Sequence, residues 1–133
     1  MEQNAIEMIG ITKTFPGIIA NDDVTIKVRE NEVLALLGEN GAGKSTLMKV
    51  LSGVHPYGSY TGKILIDGKE QHYKTIKDSE NSGLAIIYQE LALIPELSVY
   101  ENIYMGHEIK NKYGIIDWNE TILHAKNQLK KVR

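Results

Sequence analysis

The sequence contains no cysteine, so disulfide bonds and thiol chemistry are excluded and a reducing compartment is permitted. It also lacks any run of about 18 consecutive apolar residues, the length that a membrane-spanning helix requires. Neither sign of charge is in large excess: the formal net charge is −2, which implies no bulk attraction to nucleic acid. Internal repeats and low-complexity tracts are absent too. These absences leave a chain of 133 residues, 42% of them apolar, which suits one globular domain with a core.

The beginning of the chain carries acidic residues and no long apolar stretch, which argues against a signal peptide. The strongest local signal follows shortly after it. An apolar run at 33–37 predicts a buried strand, and the segment at 46–51 predicts a helix. Between them lies the pattern G-x-x-x-x-G-K-[ST], made of Gly38, Glu39, Asn40, Gly41, Ala42, Gly43, Lys44 and Ser45.

This motif is typical of a loop that binds phosphate. Gly41 and Gly43 carry no side chain, so backbone N–H groups can converge on phosphate oxygens. The helix that opens at Lys44 adds unpaired N–H groups and the positive end of its dipole. Lys44 supplies a point charge for the β- and γ-phosphates, and Ser45 supplies a hydroxyl for Mg²⁺. The alternative is a glycine-rich turn with a helix-capping serine, but the strand and helix context favours nucleotide binding.

The remaining elements predict an α/β fold in which a strand pair precedes the phosphate loop. Strands are expected at 6–15, 23–29, 63–67 and 84–88, and short helices at 75–82 and after the capping-box spacings Ser98–Glu101 and Asp117–Glu120. The last helix has an apolar face that comprises Ile122, Ala125, Leu129 and Val132, and it reaches Arg133 without a stop signal, so the chain looks cut there.

This arrangement resembles the ATP-binding-cassette ATPases, which implies a P-loop fold with an antiparallel β-subdomain and a partial mixed or parallel core sheet. Phe15, after Lys13 and Thr14, is similar to the family's aromatic residue that stacks on adenine; the alternative is a core residue at a strand end. Residues 38–45 resemble Walker A, with Thr46 as the next phosphate contact. Gln89, between Tyr88 and Glu90, resembles the Q-loop glutamine that reaches Mg²⁺ or the attacking water; the alternative is an ordinary surface glutamine.

Longer stretches at 15–17, 38–53 and 89–91 resemble the monosaccharide-import subgroup, whose ATPase chain carries two cassettes in tandem, and 56–62 and 86–93 are similar to D-xylose importers. The resemblance implies ATP and Mg²⁺ as cofactors, with Lys44 and Gln89 as catalytic residues and Ser45 and Gln89 as metal contacts. It implies transmembrane permease subunits, met through the Q-loop region, and a second cassette as partners. A periplasmic or extracellular sugar-binding protein is an indirect partner, nucleic acid is not one, and the location is peripheral, on the cytoplasmic face of the membrane.

Several parts of the family pattern are missing from these residues. The signature loop, the Walker B segment with its glutamate, and the switch histidine are absent, so residues 1–133 are expected to form the N-terminal part of a first cassette. We therefore expect weak Mg-nucleotide binding, little or no hydrolysis, and self-association through uncovered strand edges. The segment 64–67 imitates Walker B, but Gly68 follows Asp67, which favours a hairpin turn.

Two other function classes remain open at this point. One is another P-loop enzyme, a GTPase or a small-molecule kinase. The guanine-reading pattern Asn-Lys-x-Asp fails at 111–114, where Gly114 replaces the aspartate. The other is a non-hydrolytic nucleotide-binding or dimerisation module. The four histidines do not pair at metal-ligand spacing, which argues against a zinc-type site.

Overall fold

The computed structural model describes residues 4–87 and 93–132. The chain divides into two units, Met1–Ile87 and Tyr88–Arg133. The first contains β1 (Asn4–Phe15), β2 (Ile18–Arg29), α1 (Lys44–Leu51), β3 (Thr61–Ile66), β4 (Lys69–Gln71) and α2 (Ile76–Asn81). The second contains α3 (Val99–Tyr104) and α4 (Trp118–Lys131).

The strands of the first unit form one antiparallel sheet in the order β2-β1-β3-β4. β1 and β2 make a long hairpin whose turn is Pro16-Gly17, as the sequence predicted, with Gly17 at φ 79°. Along the second half of β2, half-buried Val24, Ile26 and Val28 alternate with exposed polar residues. The strand predicted at 23–29 is therefore present, as the second half of β2.

β3 and β4 are joined by a tight turn at Asp67-Gly68. Both residues have positive φ, 48° and 74°, which is the backbone shape of a type I′ hairpin turn and explains the Asp-Gly pair. Asp67 donates its N–H to the Ala5 carbonyl at 3.0 Å, which ties the turn to β1. The segment 64–67 is thus a hairpin and not a Walker B strand, as expected from Gly68.

The core of the first unit lies between α1 and the sheet. Leu47 and Val50 of α1 are 2% and 0% exposed and pack with Met8, Ile11 and Ile64 of the strands. Two tyrosines from the connecting segments, Tyr60 and Tyr73, complete this cluster. The spacing of Leu47 and Val50, three residues apart, puts both on one face of the helix, so that α1 covers the sheet with that face.

The ends of α1 and α2 follow the capping signals in the sequence. α1 ends at Leu51 with Ser52 as C-cap, and Gly53 follows at φ 78°, the left-handed conformation in which glycine commonly ends a helix. α2 starts after Thr75, which forms a capping box with Asp78. The hydroxyl of Ser79 in α2 donates to the Ser52 carbonyl at 2.7 Å, so the two helix ends are bonded to each other.

The strands predicted at 33–37 and 84–88 are not formed in the residues that the structure describes. Segments 32–39 and 84–87 have no regular secondary structure, and Tyr88 lies outside the described residues. A strand requires hydrogen bonds to a neighbouring strand, and neither segment pairs with a strand within residues 4–87 and 93–132. Val33, Leu37 and Ile87 are accordingly 97%, 89% and 95% exposed. The α/β class holds, but the sheet that is present is wholly antiparallel.

The second unit consists of two capped helices. Ser98 and Glu101 form the predicted capping box of α3, and Asp117 accepts from the Glu120 N–H at the start of α4. Tyr100 and Trp118 meet edge to face with ring centroids 6.0 Å apart. The predicted apolar face of α4 is covered only in its first half, because Ala125 is buried whereas Leu129 and Val132 are 44% and 81% exposed.

We expect Ile11→Ala to lower the free energy of unfolding by about 2–5 kcal/mol, because Ile11 is 0% exposed at the centre of the cluster under α1. The matched control is Ile19→Ala on the same hairpin, where the side chain is 64% exposed and the expected loss is below about 1 kcal/mol. Urea denaturation followed by circular dichroism measures both values. Equal losses for the two variants would contradict this account of the core.

Candidate functional site

The phosphate-type loop leads directly into the N-terminus of α1. The first intrahelical hydrogen bond runs from the Leu47 N–H to the Gly43 carbonyl at 2.9 Å, so the N–H groups of residues 44–46 precede it. Gly43 is the N-cap and, within the described part of the chain, no side chain caps the helix. The first turn also contains no acidic residue. The positive end of the helix dipole is therefore uncompensated, which favours an anion at this place.

Lys44 is held against the loop by backbone carbonyls. Its ammonium donates to the Gly38 carbonyl at 2.6 Å and to the Glu39 carbonyl at 2.8 Å. The Glu39 carbonyl also accepts the N–H of Ala42 at 3.1 Å, which closes the turn inside the loop. The motif lysine thus lies beside the loop backbone, where its charge adds to that of the helix N-terminus.

The two glycines that were predicted to shape the loop do so for different reasons. Gly41 has φ 86°, but a Cβ there would meet no atom of the described residues within 4 Å. Gly43 has φ 89°, and a Cβ there would lie 2.1 Å from the Ala20 carbonyl oxygen and 2.8 Å from Asn21 Nδ2. Gly41 is needed for its backbone conformation, whereas Gly43 is also needed because β2 passes against it.

Asn21 of β2 is a site residue that the sequence interpretation missed. It is 5% exposed, and its amide Nδ2 donates to the Gly43 carbonyl at 3.1 Å. The β1–β2 ladder is irregular here: Ile11 pairs with Val24 and Lys13 with Asn21, and Asp23 has φ 48°. This bulge breaks the strict alternation of side chains and lets a polar residue turn inward. The available signal was the asparagine itself, in a strand whose inward positions are otherwise apolar.

Phe15 stands at the end of β1 and is 39% exposed, so the alternative that it belongs to the core is wrong. Its ring meets the His55 ring edge to face at 5.5 Å, and Lys13 Nζ lies 4.9 Å from its centroid. Lys13 is itself fixed by a 2.6 Å bond to the Ser59 carbonyl. Burial lowers the pKa of His55, and the neighbouring charges of Lys13 and Lys49 lower it further, which favours the neutral imidazole.

The predicted metal contacts are only partly covered by the structure. Ser45 is exposed in the first turn of α1, and Thr46 beside it is half-buried. Among residues 4–87 and 93–132, no group of three or more histidine, aspartate or glutamate side chains is arranged to hold a metal ion. A single serine hydroxyl is nevertheless a suitable ligand for Mg²⁺, which keeps several waters. Gln89 lies outside the described residues, so its predicted role is not tested.

Comparison with known families gives one clear match. The model of the family described as "ABC transporter" matches residues 21–133. The matched region contains the whole phosphate loop, Asn21 and the second unit. It begins after Phe15. In the described parts of the chain, no helix has the length and apolar character needed to cross a membrane.

Curated relatives are similar along nearly the whole chain. The xylose import ATP-binding protein XylG of Geobacillus kaustophilus is 57% identical over 133 residues, covering 99% of this chain and 26% of the relative. The L-arabinose transport ATP-binding protein AraG of Geobacillus stearothermophilus is 60% identical over 132 residues, again 99% of this chain and 26% of the relative. The chain therefore spans about a quarter of the length of these proteins.

A solved structure shares the fold. It is a nucleotide-free ATP-binding cassette from an ABC transporter, with a TM-score of 0.70 and 25% sequence identity. The alignment covers 91% of this chain and 46% of that chain. The likeness thus extends over nearly all of this chain and about half of a cassette.

We expect Gly43→Ala to destabilise the chain more than Gly41→Ala. Both substitutions put an L-residue at positive φ, which costs about 1–2 kcal/mol in each case. Only the methyl group at Gly43 also meets the Ala20 carbonyl, which adds about 1–3 kcal/mol of steric cost. Thermal and urea denaturation of the two variants measures the difference, and equal destabilisation would show that β2 does not restrict Gly43.

Proposed function

The chain belongs to the ABC transporter family, and we propose on this premise that it is the phosphate-binding part of the ATP-binding subunit of a sugar importer. The intact protein would hydrolyse ATP to energise transport of a pentose such as D-xylose. The names of two relatives, a xylose and an L-arabinose importer protein, support a pentose as the cargo class. The sugar would bind in other subunits, as the resemblance to the sugar-import family implies.

The observation that carries the proposal is the position of Lys44. Its ammonium is bonded to the carbonyls of Gly38 and Glu39, next to an uncapped helix N-terminus. A phosphate group placed there gains backbone N–H donors and a fixed positive charge at once. Residues 38–46, with Thr46 as a further contact, would bind the β- and γ-phosphates in this way.

Phe15 is proposed to hold the base. Its ring is partly exposed at a hairpin end, and its contacts with Lys13 and His55 restrict its orientation. A π-face stacks on any base, so this contact adds affinity and discriminates little between adenine and guanine. The same hairpin carries Ala20 and Asn21, which touch Gly43, so that base and phosphate contacts belong to one rigid unit.

Mg²⁺ is proposed to bind with the nucleotide. When bound, it would neutralise charge on the phosphates and help to stabilise phosphoryl transfer. The hydroxyl of Ser45, exposed at the start of α1, supplies a suitable oxygen ligand. Gln89 is proposed as a second contact to the metal or to the attacking water, from the resemblance of its sequence context.

The intact assembly is proposed to need two cassettes. The signature loop and the glutamate after Walker B, which the family uses for hydrolysis, do not occur in these 133 residues. A second cassette would supply the opposing loop, and permease subunits would be met through the region around Gln89. Because it would contact permease subunits, the intact protein would lie on the cytoplasmic face of the membrane. An extracellular or periplasmic sugar-binding protein would be an indirect partner. Residues 1–133 would be the N-terminal part of the first cassette.

We expect Lys44→Ala to abolish stabilisation of the chain by Mg-ATP, because the fixed charge beside the phosphates is lost. At a concentration of 100 times the Kd, a ligand that binds only the folded chain adds about 2.7 kcal/mol. The control is Lys49→Ala, which removes the same charge from the exposed last turn of the same helix. Thermal shift assays with ATP and with GTP measure the effect. Stabilisation that survives in Lys44→Ala would refute the proposal, and a strong preference for GTP would favour a GTPase.

We expect the 133-residue chain to hydrolyse ATP barely or not at all, because the general base and the opposing signature loop are missing from its sequence. The comparison is a phosphate-release assay at saturating Mg-ATP beside the full-length xylose import protein of Geobacillus kaustophilus. Turnover within a few-fold of that protein would show that this part of the chain contains a complete catalytic site.

A further inference from the structure

Asn21 lies on the element that joins the two halves of the proposed nucleotide site. β1 and β2 form one hairpin, in which Phe15 pairs with Ile18 beside the turn and Lys13 pairs with Asn21. Three register pairs, Phe15–Ile18, Thr14–Ile19 and Lys13–Asn21, therefore link the aromatic platform at Phe15 to Asn21, with one ladder irregularity between Thr14 and Lys13. Any restraint that Asn21 places on the phosphate loop is also a restraint relative to Phe15.

The contact between Asn21 and the loop is specific in its orientation. Nδ2 donates to the Gly43 carbonyl at 3.1 Å, and the reversed amide would set two acceptors against each other. The same Gly43 carbonyl accepts the first hydrogen bond of α1, from the Leu47 N–H. Asn21 thus holds the carbonyl at which the loop becomes a helix, next to the N–H groups of residues 44–46, which precede the first intrahelical bond.

The carbonyl oxygen of the Asn21 amide lies in an energetically unfavourable environment. Asn21 Oδ1 is buried and has no hydrogen-bond partner in the described residues. A leucine has the same number and branching of non-hydrogen side-chain atoms and would leave no buried acceptor unsatisfied. The asparagine is therefore poorly explained as a packing residue, and its single donor bond to Gly43 is the contact that accounts for it.

We propose that Asn21 is a positioning residue that sets the distance between the base platform at Phe15 and the phosphate loop. A nucleoside triphosphate touches both places, so its affinity depends on their fixed spacing, whereas a ligand without a base depends on the loop alone. This inference rests on the proposed function, since it assumes that Phe15 and the loop bind one nucleotide. Under this proposal, Asn21 affects how favourably one nucleotide can contact Phe15 and the phosphate loop at the same time.

The test compares ATP with inorganic tripolyphosphate by isothermal titration. In Asn21→Leu, we expect the Kd for ATP to rise about tenfold and the Kd for tripolyphosphate to change less than about threefold. In a chain that already carries Phe15→Ala, adding Asn21→Leu should raise the Kd for ATP no more than it raises the Kd for tripolyphosphate. The reason is that the aromatic ring whose position Asn21 would set is then absent. Lys27→Gln, exposed on the same strand, is the control and should change neither Kd.

Asn21→Ala is the second variant, because it removes the amide donor without adding volume or charge beside the phosphate loop. It should give the same selective loss for ATP, and it decides the question if Asn21→Leu does not fold. An equal rise in Kd for ATP and for tripolyphosphate, or no rise for either, would overturn the role of Asn21. The proposed function is judged separately: it remains supported if Lys44→Ala abolishes ATP binding. If the unmodified chain binds neither ligand, the proposed function fails and this inference with it.

Discussion

The packing of α1 against the antiparallel sheet is the interaction on which the rest of the first unit depends. Leu47 and Val50 are buried against Met8, Ile11 and Ile64, and this contact fixes the helix whose N-terminus is the candidate anion site. A helix of eight residues is too short to be stable alone in water. The apolar contact with the sheet therefore holds the site in place, and the site's polar groups need to contribute little to stability.

The phosphate loop is restrained at one end and left uncovered at the other. At its C-terminal end, β2 touches Gly43 through the Ala20 carbonyl and the Asn21 amide. On its N-terminal side, the apolar segment 33–37 has no strand partner among the described residues, and Val33 and Leu37 are almost fully exposed. A segment with exposed apolar side chains, like this one, becomes a strand only when its backbone pairs with the edge of another strand. The contacts that restrain the candidate phosphate loop are thus independent of the strand pairing that segment 33–37 lacks.

Local signals in the sequence predicted the elements that depend on neighbouring residues. The Asp67-Gly68 turn, the Ser98 capping box and the short helix expected at 75–82 all appear where the sequence placed them. The predictions of strands at 33–37 and 84–88 were wrong. An apolar run shows that a segment prefers burial, but it does not show that the segment pairs with another strand. For the same reason the face of α4 was predicted beyond the point where it is covered, at Leu129 and Val132.

By itself, the sequence determined the family and predicted a phosphate-binding loop, because residues 38–45 form a local pattern whose proposed function needs only its own backbone and two side chains. Tertiary structure decided why Gly43 cannot be replaced and that Asn21 belongs to the site. Both depend on β2 passing against the loop 22 residues away in sequence, with a ladder irregularity that turns Asn21 inward. The sequence shows an asparagine in an otherwise apolar strand face but not the carbonyl that it binds, so only the folded chain identifies this contact.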